Sequence, residues 1–111
     1  MSLKRTAVVG SVLLLWAGGA AAQAVDASAA EALAKKSGCL GCHSVTQKKI
    51  GPAFKEVAAR YKGKADAEQK LHTHLTTNPK VKVGGAEEEH DSLKTKNQAD
   101  IRNVVRWILS R

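Results

Sequence analysis

The sequence predicts an all-α domain of about four helices, and three observations carry that prediction. Apolar residues recur at i, i+3, i+4 and i+7 in several windows, as a helix with one buried face requires. No window reads as a convincing strand, and no internal repeat or linker divides the chain. The third observation is size: 111 residues allow one domain at most, excluding a two-domain enzyme or a polytopic membrane protein.

Residues 1–24 read as a cleaved secretory signal and stand apart from the fold. Lys4 and Arg5 form a positive start, Ala7 to Trp16 the apolar stretch, and Gly18 to Ala24 a small-residue cleavage zone. The apolar run is short for a bilayer span, because Gly and Ala dilute it after Trp16. The competing reading is an uncleaved N-terminal anchor. Cleavage would leave a mature domain over residues 25–111, exported to the periplasm and without stable membrane insertion. The sole methionine, Met1, leaves with the signal, so the mature domain has none. Its aromatics are Phe54, Tyr61 and Trp107, and its formal charge falls from +8 to about +6. A chain of this size with so few large side chains is marginal on its apolar core alone, so a staple is expected.

The elements follow in order. Asp26 to Ser37 begins with the cap candidates Asp26 and Ser28, puts Ala30, Leu33 and Ala34 on one face, and stops at Gly38. Pro52 to Tyr61 starts with a proline suited to a first helical position and aligns Phe54, Val57, Ala58 and Tyr61. Ala65 to Thr77 places Ala67, Leu71 and Leu75 in register and ends before Asn78-Pro79. Gln98 to Ser110 is the clearest: Ile101, Val104, Val105, Ile108 and Leu109 form one stripe, with Asn97 as the cap. The polar stretch from Pro79 to Lys96 reads as a loop without periodicity, and a loop that long is functional or disordered.

The chemistry lies in Cys39-Leu40-Gly41-Cys42-His43, the attachment signature of c-type haem. Two thiols three positions apart reach the two vinyl groups of one haem, and the adjacent imidazole becomes the proximal iron ligand. An export signal suits that reading. Two others compete. A thioredoxin-like Cys-x-x-Cys site would need a preceding strand, and none is predicted. A zinc site using His43, His72, His74 or His90 would want a second close ligand pair, and His72 and His74 do not face each other on a helix. Covalent haem also supplies the missing core, as a large flat apolar body for every helix to pack against.

From about Asp26 to Arg111 the chain resembles the small bacterial class I cytochromes c. Besides the haem motif, the run from Lys49 to Ala58 and the ending Trp107-Ile108-Leu109-Ser110 look like that family's corresponding segments. The resemblance implies a cytochrome c-like fold around one covalently bound haem, with first and last helices crossing nearby. It implies a hydrogen bond from His43 Nδ1 to the carbonyl of Pro52, and Trp107 packed near the haem edge. It also exposes a departure. The family usually supplies a methionine from its late loop as the sixth ligand, and this mature chain has none. His90 stands where that methionine is expected, 17 residues before Trp107. His90 is therefore the proposed distal ligand of a bis-histidine haem.

Other sixth ligands stay open: His74, His72, Lys80, Lys82, Asn78, or no residue at all. The resemblance puts His72 and His74 at positions expected to be exposed. Glu87, Glu88 and Glu89 read as a solvated acidic face that would favour oxidised haem if His90 ligates. Methionine ligation raises the potential by favouring Fe(II), so imidazole in its place predicts a lower one.

Lysines cluster at Lys35-Lys36, Lys48-Lys49, Lys62/Lys64 and Lys80/Lys82, the first two pairs flanking the haem motif. Such a rim would steer the protein to redox partners with acidic docking faces, or serve solubility alone. Two haem propionates would bring the net charge to about +4. Nucleic-acid binding is disfavoured, since no reading motif or aromatic interleaving accompanies the charge. The function expected is periplasmic one-electron transport without substrate turnover, free or as the cytochrome subunit of a dehydrogenase. The alternative is a haem-based gas sensor with a labile distal ligand.

Overall fold

The computed structural model describes residues 24–111. The predicted signal segment lies outside them, apart from Ala24. Five helices, α1 (Ala27–Lys36), α2 (Cys39–Cys42), α3 (Phe54–Tyr61), α4 (Ala67–His74) and α5 (Gln98–Leu109), are joined by one hairpin, β1 (Lys80–Val83) and β2 (Ala86–Glu89).

α1 and α5 cross as the first and last elements, and small residues set how closely. Ala30 and Ala34 are fully buried on α1, facing Ile101, Val104, Val105 and Ile108 of α5 in one core. A side-chain amide locks the crossing: Asn103 accepts from the Asp26 N–H at 2.9 Å and donates to the Asp26 carbonyl at 2.8 Å. Asp26 also caps α1, its carboxylate accepting from the Ala29 N–H at 3.0 Å. Phe54 of α3 and Leu71 and Leu75 of the α4 end complete the core, together with Leu93. Arg106 pairs with Glu68 at 3.1 Å, and the His72 ring meets Gln98 Oε1 at 2.9 Å, tying α4 to α5.

Asn97 caps α5 as predicted, accepting from the Ala99 and Asp100 N–H groups at 2.9 and 3.2 Å. Replacing such a cap by alanine costs about 1 kcal/mol. Asn97→Ala is therefore expected to lower the thermal midpoint by roughly 4–8 °C in a domain this small, read by circular dichroism of the holoprotein.

Three expectations need correction. Pro52 is not the first residue of α3: Ala53 is the N-cap, its N–H donating to the Glu56 carboxylate at 2.9 Å, and helix begins at Phe54. The haem motif itself forms a short helix, α2, in addition to the four predicted. The stretch from Pro79 to Lys96 is not featureless. Lys80, Val81, Lys82 and Val83 pair antiparallel with Glu89, Glu88, Glu87 and Ala86. Gly84 and Gly85 turn the hairpin at φ 56° and 86°, a tight turn that side chains resist at both positions. The signal was present: alternating Lys-Val-Lys-Val before a Gly-Gly pair.

Candidate functional site

The site is assembled by the turn that follows α2. α2 carries the thiols of Cys39, half-buried, and Cys42, exposed. Burial foremost raises the Cys39 thiol, and the nearby Asp91 carboxylate and Cys42 add to it. His43 closes α2, its N–H donating to the Cys39 carbonyl at 2.9 Å. The chain then folds back on itself: Gly51 N–H reaches the Cys42 carbonyl at 2.8 Å, and Phe54 N–H the Ser44 carbonyl at 2.9 Å.

That return delivers the Pro52 carbonyl to His43 Nδ1 at 2.7 Å. A carbonyl can only accept, so Nδ1 carries the proton and Nε2 keeps its lone pair free for a metal. Two further contacts set the ring. Phe54 stacks on it at 5.3 Å and 25°, and Trp107 meets Phe54 edge-on at 5.5 Å. A Cβ at Gly51 would stand 2.5 Å from His43 Cε1, so only glycine admits the ring here.

His90 follows β2 directly. Its N–H donates to the Pro79 carbonyl at 2.8 Å, and its carbonyl accepts from Asn78 Nδ2 at 3.0 Å. Asn78, at a positive φ of 48°, accepts from Ser92 Oγ at 3.0 Å. Beyond Ser92, Leu93 N–H bonds the Leu75 carbonyl at 3.0 Å and Lys94 N–H the buried Ser37 hydroxyl at 2.9 Å. The segment bearing His90 is thus tied to the end of α4 and to Ser37, two residues before the haem motif.

The outcome is that the rings of His43 and His90 stand 6.0 Å apart, centre to centre, tilted by 50°. This spacing tests whether haem iron fits. Metal–imidazole bonds are about 2 Å and each ring centre lies about 1 Å behind its nitrogen, so two imidazoles on one metal stand about 6 Å apart. His90 Nδ1 is buried with no hydrogen-bond partner among the described residues. Two thiols on one turn, an imidazole presented through Nε2 and a second imidazole opposite make a donor set that fits haem c.

His74 corrects the expectation of an exposed side chain. It is half-buried at the end of α4, its ring 4.4 Å from that of His90. Burial foremost holds both rings below the usual imidazole range; His90 and His43 add to this at His74, whereas at His90 only His43 adds to it and Asp91 opposes it. His72 points elsewhere, to Gln98. Lys80 lies 3.9 Å from Glu87 with both side chains exposed, and Lys49, exposed with Lys48 beside Ile50 (59% exposed), donates from Nζ to the Leu40 carbonyl at 2.9 Å.

The model of the family described as "Cytochrome c" matches residues 27–111. The chain belongs to the cytochrome c family. It is 42% identical over 81 residues to cytochrome c-551 of Allochromatium vinosum, covering 69% of this chain and 80% of that one. It is 37% identical to cytochrome c-552 of Hydrogenobacter thermophilus, covering 72% and 79%. Among solved structures, the class 1 cytochrome MtoD of Sideroxydans lithotrophicus ES-1 superposes with a TM-score of 0.75 at 48% identity, covering 78% of this chain and 97% of that one. This cytochrome is accordingly an electron carrier with one covalently bound haem c, not an enzyme. No helix among the described residues is long and apolar enough to cross a membrane.

Proposed function

We propose that this cytochrome is an exported, periplasmic carrier of single electrons whose haem is attached through Cys39 and Cys42 and ligated by His43 and His90. The observation that carries the reading is the opposition of two imidazoles across 6.0 Å in a chain whose only methionine is Met1. Haem, when bound, supplies the Fe(III)/Fe(II) couple. The protein's own residues do the rest. Pro52 fixes the tautomer and aim of His43 and strengthens it as a donor. Phe54 and Trp107 wall the proximal side with apolar surface. The clamp of Asn78 and Pro79 on the His90 backbone favours a fixed distal ligand over a labile one. Export through a cleaved segment, residues 1–24, agrees with the sequence pattern of that segment and with haem attachment outside the cytoplasm.

Electron paramagnetic resonance and near-infrared magnetic circular dichroism of the oxidised holoprotein test the ligand set. Wild type is expected to give a bis-histidine low-spin signal, and His90→Ala to lose it. A wild type without that signal, or a variant that keeps it unchanged, would overturn the assignment. His90→Met is expected to raise the potential by on the order of 100 mV, part of the ~0.8 V range that axial ligands command.

For partners, the reading is a docking face made of exposed Ile50 with Lys48 and Lys49, beside the motif that holds the haem. Positive charge around an apolar spot suits an acidic redox partner and acts chiefly on association rate.

A further inference from the structure

The two imidazoles are held in different ways, and the difference assigns a role to His74. His43 has a hydrogen bond on the nitrogen that faces away from the metal side, and this is the usual device for fixing a ligand ring. His90 lacks such a bond at its buried Nδ1, which finds no partner among the described residues, although the Asp91 backbone lies near enough to its ring to favour the charged form. Its backbone is clamped by Pro79 and Asn78, but that clamp acts on the main chain alone. Rotation of a histidine ring about its last side-chain torsion is soft, with broad minima, so a fixed backbone does not fix the ring plane. Something must pack against the ring.

His74 is what packs there. Its ring centre lies 4.4 Å from that of His90 at an interplanar angle of 56°, a tilted pair within contact distance. His74 is itself anchored, at the end of α4 between buried Leu71 and Leu75. The Leu75 carbonyl receives the Leu93 N–H, so the same helix end holds both the wall and the segment that carries the ligand. We propose that His74 is a positioning residue for the distal ligand, setting the plane of the His90 imidazole by ring contact where His43 is set by a hydrogen bond. The inference rests on the bis-histidine reading and adds a residue to it.

The g-anisotropy of a bis-histidine haem reports the relative orientation of the two ligand planes, which a change in stability alone does not move. The test compares oxidised holoprotein of wild type, His74→Ala and His74→Phe, each first shown to be folded by circular dichroism. The expected result is a low-spin bis-histidine signal in all three, with the largest g-value shifted and broadened in His74→Ala and returned towards wild type in His74→Phe. Coincident spectra for wild type and His74→Ala would overturn the proposal while leaving His90 as ligand. A shift that His74→Phe fails to reverse would overturn it too, since a ring of similar shape should replace the wall. Loss of the signal in His74→Ala, with its survival in His90→Ala, would make His74 the ligand and sink both readings. A wild type lacking the signal would sink the bis-histidine reading itself.

Discussion

The Cys39→Ala/Cys42→Ala variant, isolated without haem, is expected to lose most of its helical circular dichroism and its cooperative thermal transition. The reason lies in what the core contains. Among the described residues only Ile101, Val104 and Val105 combine bulk with complete burial, and five of the buried apolar residues are alanines: Ala30, Ala34, Ala53, Ala58 and Ala67. Domains of this size bury too small a fraction of their surface to tolerate such a core unaided. The apoprotein would also have to keep His43, His74 and His90 together, two of them with their charged forms disfavoured by burial. Covalent haem removes these difficulties together, by filling the space between the helices and restricting the unfolded chain. A haem-free variant that still melts cooperatively would show that the protein core suffices.

How much of this was legible in the sequence depends on the range of the interaction concerned. α5 was readable almost to the residue, because its five-residue apolar stripe and its Asn97 cap are local. The start of α3 was misjudged for a local reason with a distant cause: Pro52 must leave its carbonyl outside the helix to reach His43, so Ala53 and Glu56 form the true start. The hairpin was hidden by its own charges. Lys80, Lys82, Glu87 and Glu89 look like loop residues, and their cross-strand complementarity appears only once the Gly84-Gly85 turn sets the register. His90 stands out through an absence, the missing methionine, and through its spacing to Trp107, and its ring lies 6.0 Å from that of His43. His74 does not stand out in the sequence. Its contact with His90 exists because Leu93 bonds the Leu75 carbonyl, a long-range pairing that no periodicity announces.

Gly51→Ala is the single substitution expected to disturb the proximal side most, although it adds one methyl group to a loop. That methyl would lie 2.5 Å from Cε1, 2.8 Å from Nδ1 and 3.0 Å from Nε2 of His43, closer than non-bonded atoms approach. The ring has little room to yield. Its Nδ1 is bonded to Pro52 at 2.7 Å, and Phe54 stacks on it at 5.3 Å. The loop has little room either, since Gly51 donates to the Cys42 carbonyl at 2.8 Å and accepts from the Lys49 N–H at 3.1 Å. Something must therefore move: either the loop opens and the Pro52 bond lengthens, or His43 leaves its axis. Overpacking of this kind costs about 1–3 kcal/mol, which in a domain this small lowers the midpoint by roughly 4–24 °C. The three atoms nearest the added methyl all belong to the His43 ring and none to a thiol, so covalent haem should be retained. The decisive measurement is the potential alongside the melt. Losing the Pro52 hydrogen bond makes His43 a weaker donor to Fe(III), so the potential should rise as the midpoint falls. A lower midpoint with an unchanged potential would mean that the loop, not the ligand, absorbs the methyl group.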